Sequence, residues 1–163
     1  SKFAGRVKDA PTALKVTEEN GVVKYYLLLN SGYNSQDSGL IIVDLLESEE
    51  DTKLAKVVNE ITAPNMKPSA DPRGLNRADI IAKPVITDLT GTDNYEAIYF
   101  GDSFGQIWKI DLNRDAIRKR IACWGQTTCG SVDNSEFNPQ PRVIFKAVDS
   151  NGVAQPITTE LSL

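Results

Sequence analysis

The chain has 163 residues, 40% of them hydrophobic and 25% charged, with a formal net charge of −4 and no histidine at all. Without histidine there is no Ser-His-Asp or Cys-His catalysis, no His-ligated zinc and no imidazole acid–base work near neutral pH; carboxylate-pair or cofactor chemistry stays open, but the expectation is that the chain is not an enzyme and holds no cofactor. The negative balance argues against a nucleic-acid partner, which needs a basic face to release counterions, and no stretch approaches the ~20 apolar residues of a membrane-spanning helix.

The chain begins at Ser1 with neither a methionine nor a leader, which reads as a mature product or a piece of something longer. Short apolar segments follow, punctuated by Gly and Pro about every ten residues, the pattern of strands and turns. Residues 12–16 form the first strand. Asn20-Gly21 is a hairpin turn, because both residues tolerate positive φ. Residues 22–30 read as a buried strand, 31–39 as a polar loop, 40–46 as a third strand and 54–59 as a fourth. The acidic run Glu47, Glu49, Glu50 and Asp51 is most simply a solvated turn.

Residues 62–79 carry Pro64, Pro68, Pro72 and Gly74 and are too long for an ordinary connection, so they read as a functional loop or a linker. The pattern then restarts: strands at 80–87, 95–101 and 106–112, a second long loop at 113–140, a strand at 143–148, the turn Asp149-Ser150-Asn151-Gly152, and a final strand-like segment at 155–159. The second loop holds a basic knot (Arg114, Arg118, Lys119, Arg120), Trp124, and two cysteines, Cys123 and Cys129, with five residues between them. That spacing suits a loop clamp better than a metal site, which wants four clustered ligands. A disulfide there implies an oxidising compartment; the alternative is two thiols. Arg118, Lys119, Arg120 and Trp124 form a candidate contact loop, with a solvated turn and loop packing as the plainer readings. Both long loops are expected to protrude.

The two halves share an order. In the first, Tyr26-Leu27-Leu28-Leu29-Asn30-Ser31-Gly32 leads to a strand over 40–46 ending in Asp44-Leu45; in the second, Glu96-Ala97-Ile98-Tyr99-Phe100-Gly101-Asp102 leads to a strand over 106–112 ending in Asp111-Leu112. Two units of about four strands in the same order mark a repeat architecture, and four antiparallel strands per unit are propeller blades. The expected fold is all-β, a propeller fragment of about two blades with long inter-strand loops: residues 1–62 the first blade, 63–79 a linker, 80–163 the second blade and the start of a third. Because such a fragment leaves blade faces uncovered, Tyr26, Leu28, Ile42, Ile98, Phe100 and Ile107 are expected to be stranded at its surface.

The run from Thr87 to Leu112, with its polar Asp88-Leu89-Thr90-Gly91-Thr92 turn, its Tyr99-Phe100-Gly101-Asp102 strand end and its Gly105-Gln106-Ile107-Trp108-Lys109-Ile110-Asp111-Leu112 strand, resembles the PilY family of type IV pilus tip proteins. Asn30-Ser31-Gly32-Tyr33-Asn34, Phe145-Lys146-Ala147-Val148-Asp149 and Gln155-Pro156-Ile157-Thr158-Thr159 agree with that family in the same order. The resemblance implies a modified β-propeller of an exported protein, extracellular or outer-membrane-associated at the pilus tip. Its partners would be further blades of the same polypeptide, minor pilins, and a host or abiotic surface. The family often carries a calcium loop before the Gly-Asp strand, which corresponds here to Asp88, Thr90, Thr92, Asn94 and Glu96. Only the first and last of these keep a carboxylate, and threonines cannot compensate calcium's dehydration, so an ordinary polar turn is expected there. Asp102 is expected to bond the backbone of its own turn, and Trp108 to pack. The competing functional readings are blades of a quinoprotein-type dehydrogenase and a generic envelope scaffold.

Overall fold

The computed structural model describes residues 9–17, 21–32, 38–48, 55–62, 78–80, 82–88, 95–112, 121, 124, 128–129, 132–133 and 140–162. Two four-stranded antiparallel sheets account for most of them. The first runs β1 (Thr12–Thr17), β2 (Val23–Asn30), β3 (Gly39–Ser48) and β4 (Ala55–Thr62) in sequence order. The second contains β5 (Val85–Thr87), β6 (Ala97–Gly101), β7 (Gln106–Asp111) and β10 (Arg142–Lys146), in the order β5-β6-β7-β10. A two-stranded ribbon of β8 (Thr128–Cys129) and β9 (Val132–Asp133) interrupts the path from β7 to β10. Among the described residues there is no helix longer than a single turn.

The local chemistry follows the expected signals. Gly21 closes the β1–β2 hairpin at φ 79°, the left-handed region in which a side chain costs about 1–2 kcal/mol. β3 and β4 pair with register shifts at Ile42/Val43 and Asp44/Ser48, bulges that let the strands turn more sharply. The 80–87 strand is shorter than expected. Only Val85–Thr87 ladders with β6; Pro84 lacks the N–H a longer strand needs, and Ile80 instead makes isolated bridges to Gly32 and Asp102. The 155–159 segment forms no strand either.

One core joins the sheets. Leu14, Val16, Tyr26, Leu28, Leu40, Ile42 and Ile61 from the first meet Ile98, Phe100, Trp108 and Ile110 from the second, with Ile80 and Leu112 beside them. Phe100 and Trp108, directly opposed on β6 and β7, stack with ring centroids 6.3 Å apart. The set expected to be stranded is therefore mostly inside: Tyr26, Leu28, Ile42, Ile98 and Phe100 are buried, and Ile107 is half-buried. The strand faces exposed instead lie on the other side of each sheet.

The hydrogen bonds reveal how the sheets are related. In antiparallel ladders, directly hydrogen-bonded pairs alternate with non-bonded pairs, and side chains alternate faces in step. For L-residues the hydrogen-bonded pairs of a given hairpin always lie on one particular face, because chirality fixes the side to which each residue's own N–H and C=O point. In the first sheet the Ser31 N–H donates to the Gly39 carbonyl, so Leu29/Ile41 is a bonded pair and the core pairs Leu28/Ile42 and Tyr26/Asp44 are non-bonded ones. In the second, the Leu112 and Asp102 N–H groups donate to the Glu96 and Gln106 carbonyls, which makes the core pairs Ile98/Ile110 and Phe100/Trp108 bonded. The first sheet thus turns one face to the core and the second turns the opposite face. The sheets pack front to back, as successive repeats do, and not as the mirrored halves of a sandwich.

Candidate interaction surface

The seam between the sheets is built from side chains reaching into backbone. The Tyr95 hydroxyl, just before β6, donates to the Lys15 carbonyl and accepts from the Lys15 N–H at 3.0 Å, clamping β1 from both sides of one residue. Thr12 Oγ1 donates to the Pro84 carbonyl, Ser38 Oγ to the Ala78 carbonyl, and the Lys83 N–H to Asp9 Oδ2. On β4, Asn59 Nδ2 donates to the carbonyls of Ile121 and Trp124 at 3.0 and 2.8 Å. A ladder crosses the seam, with Ile80 bridging Gly32 on one side and Asp102 on the other.

Asp102 organises the β6–β7 turn. It is wholly buried, and its Oδ1 accepts the N–H groups of Phe104 and Gln106, each at 2.9 Å. Its Oδ2 accepts Gln106 Nε2 and Trp108 Nε1, each at 2.8 Å. Four donors satisfy the carboxylate's capacity, so its role is structural, as the turn position suggested. The chain after β10 returns to this turn: the Ala147 N–H donates to the Gly105 carbonyl and the Ile157 N–H to the Asp102 carbonyl. Gly105, at φ 74°, has no room for a side chain there, since a Cβ would lie 2.5 Å from the Gln155 carbonyl oxygen.

The residues singled out from the sequence fall as follows. Asp88 and Glu96 stand half-buried at the two ends of the β5–β6 connection, with the Glu96 N–H donating to the Thr87 carbonyl. Thr90, Thr92 and Asn94 lie outside the described residues, and among the described residues no group of three metal-ligating side chains gathers. Arg118, Lys119, Arg120 and Cys123 also lie outside the described residues, and Cys129 is described only as backbone in β8, so the disulfide expectation lies outside them too. Most of both long loops is likewise undescribed. At Ile121 and Trp124 the second turns inward: both are buried, and Trp124 sits edge-on to Tyr95 with centroids 6.2 Å apart. Trp124 therefore packs in the seam and is not an exposed contact anchor. Asn59 and Tyr95 were not foreseen as seam residues, and their neighbours in sequence, Glu60 for the one and Asn94 and Glu96 for the other, give no signal that would have marked them.

What remains open are the two outward faces. The first sheet presents Val23, Tyr25, Leu45 and Val57 at 39%, 45%, 46% and 37% exposure, with Leu27, Leu29 and Val43 half-buried among them. The second presents Ile107 and Tyr99, with Phe145 at 54%. Beside them lies an ion cluster in which Asp111 accepts from Lys109 at 2.6 Å and from Arg142 at 2.7 Å, and the Lys109 ammonium sits 5.8 Å from the Tyr99 ring centroid.

No family model and no curated protein matches the chain. Among solved structures it is similar to the C-terminal domain of Pseudomonas aeruginosa PilY1, with a TM-score of 0.57 and 20% sequence identity over 93% of this chain. The chain is two blades of a β-propeller. It spans 28% of the length of that structure, so the similarity carries the fold and its order of strands. The first blade is the β1–β4 sheet and the second the β5-β6-β7-β10 sheet. Their front-to-back packing is the relation that a propeller's rotation imposes on neighbouring blades.

Proposed function

We propose that the chain is the propeller portion of a type IV pilus tip and biogenesis factor, a non-enzymatic binding and scaffold module acting in pilus assembly, surface attachment and twitching motility. The observation that supports this most is the agreement of sequence segments and fold. The ordered strand-Gly-Asp and Asp-Leu segments resemble the PilY family, and the fold is similar to a PilY1 C-terminal domain across 93% of the chain. In this reading the module is exported, acts at the pilus tip, and works through protein contacts with minor pilins and the surface. A wholly buried, fully satisfied Asp102 leaves the one buried carboxylate of the second blade's turn without chemistry to perform, which suits a scaffold.

The test is genetic. Removing in frame the segment of the encoding gene that specifies these 163 residues is expected to abolish surface pili in electron micrographs and to collapse twitching zones. Normal piliation and motility in a strain that still exports the truncated product would refute the proposal.

A further inference from the structure

An asparagine followed by glycine is the pair most prone to deamidation, because glycine puts no side chain in the way when its nitrogen attacks the asparagine amide. Asn151-Gly152 is such a pair, at the tip of the hairpin that follows β10. Both residues are exposed, and a Cβ on Gly152, at φ 77°, would meet nothing within 4 Å. Among the described residues no hydrogen bond holds the Asn151 side-chain amide. The side chain is thus free to react.

The backbone around it is held instead. Asp149 Oδ1 accepts the N–H groups of Asn151 and Val153 at 2.8 and 2.9 Å, as turn aspartates do. The Asp149 N–H donates to the Val153 carbonyl at 2.9 Å, and the Gly152 N–H to the Asp149 carbonyl at 3.0 Å. The last bond ties up the nucleophile, since the Gly152 nitrogen must shed its proton and swing toward its neighbour's side chain before it can attack. We propose that Asn151 is a latent deamidation site and that Asp149 guards it by holding the turn in which the Gly152 nitrogen is bonded elsewhere. Val148 to Val153 are all exposed, so the turn belongs to the part of the fold that opens locally, and the pair reacts when it does.

In the open turn the Gly152 N–H loses its proton to a solvent base and the nitrogen attacks Asn151 Cγ. The N–Cγ bond forms, the Cγ–Nδ2 bond breaks, and ammonia leaves after taking a proton from solvent. Water then opens the cyclic imide. Breaking the new N–Cγ bond gives aspartate; breaking the original peptide bond gives isoaspartate, whose main chain is longer by a methylene. Either product sets a second carboxylate beside Asp149. The hairpin they disturb is the one that reaches the β6–β7 turn: the Gln155 N–H bonds the Ala147 carbonyl, the Ala147 N–H the Gly105 carbonyl, and the Ile157 N–H the Asp102 carbonyl. Modification at Asn151 therefore loosens the segment lying over Gly101 and Gly105.

The test is peptide mapping by mass spectrometry of the full-length protein after prolonged incubation in mildly alkaline buffer. Parent, Asp149→Ala and Asp149→Asn are compared, with a synthetic peptide of residues 147–155 as the unguarded reference. Mapping separates Asn151 from Asn20, which also precedes a glycine. Deamidation at Asn151 is expected to be slower in the parent than in the peptide. In Asp149→Ala it should run about tenfold faster than in the parent, the factor that one hydrogen bond to a charged group is worth. Asp149→Asn keeps an oxygen acceptor and should fall between. In the aged parent, hydrogen-exchange protection at Ala147 and Ile157 is expected to fall with the modified fraction. A parent that reacts as fast as the peptide overturns the proposal, and so does an Asp149→Ala variant no faster than the parent. Circular dichroism checks the fold of each variant; if Asp149→Ala unfolds, Asp149→Asn takes its place, and a rate equal to the parent's overturns the proposal.

Discussion

Replacing Asp102 by asparagine changes one oxygen into an NH2 group at a site where four N–H donors converge on a wholly buried carboxylate. The amide oxygen keeps two of those bonds, most simply the Phe104 and Gln106 backbone pair at Oδ1, while the NH2 group faces Gln106 Nε2 and Trp108 Nε1. Gln106 can turn its amide to present oxygen, but the indole has no acceptor to offer. The variant therefore loses one charge-assisted bond outright, leaves a buried Trp108 donor facing another donor, and weakens the rest. With bonds to charged groups contributing about 1.5–3 kcal/mol each, and a buried unsatisfied donor costing about 1–3 kcal/mol, the expected destabilisation is about 3 kcal/mol. At a urea slope of about 2 kcal/mol/M this moves the unfolding midpoint down by about 1.5 M. The companion variant isolates the cause. In a Trp108→Phe background the conflicting donor is gone, and Asp102→Asn should cost at least about 1 kcal/mol less than in the parent, a coupling of ordinary size for residues in contact. Urea unfolding followed by circular dichroism measures all four corners of the cycle. Additive effects, or an Asp102→Asn cost below about 0.5 kcal/mol, would show that the four-donor arrangement does not hold the turn.

Tyr95→Phe removes a hydroxyl that both donates to and accepts from Lys15 across the seam; a loss of about 1–3 kcal/mol is expected, together with faster hydrogen exchange at Lys15. Gly105→Ala places a Cβ against two carbonyl oxygens at 2.5 and 2.6 Å, whereas Gly21→Ala, at a similar φ, meets nothing within 4 Å. The first should therefore deprotect the amides of Ala147, Gln155 and Ile157 in hydrogen exchange, and the second should cost only the about 1–2 kcal/mol of its backbone strain and leave those amides protected. In the Asp88–Glu96 connection, calorimetric titration with calcium is expected to show no micromolar binding, and micromolar affinity abolished by Asp88→Ala would reverse the polar-turn reading.

The two four-stranded sheets, their strand order and the repeat were legible because Gly, Asn and Asp punctuate the chain and the Asp-Leu segments recur; the β8–β9 ribbon, read as loop, was not. Which side of each strand faces the partner blade was not. Tyr25-Tyr26-Leu27-Leu28-Leu29 and Leu40-Ile41-Ile42-Val43 are apolar without a break, as strands covered on both faces are, so no alternation reveals the inward side. The structure resolves it through bond parity: all of the residues expected to be stranded except Ile107 prove to be in the internal seam, while Tyr25 and Leu45 lie outside. The inward turn of Trp124 was hidden for a related reason. What draws it in is Asn59, 65 residues away, whose amide bonds its carbonyl; a polar residue late in a strand gives no hint of so distant a partner. The shortening of the 80–87 strand was readable, by contrast, from Pro84 alone.

The account turns on which faces of the two sheets meet. Methyl- and aromatic-labelled samples measured by nuclear Overhauser spectroscopy answer that directly. Cross-peaks are predicted from Leu14, Leu28, Ile42 and Ile61 to the cluster of Ile98, Phe100, Trp108 and Ile110, with none from Tyr25, Leu45 or Val57 to any residue of the second blade. Cross-peaks from Tyr25 or Leu45 to that cluster, with Leu28 and Ile42 open to solvent, would contradict the front-to-back packing and with it the propeller.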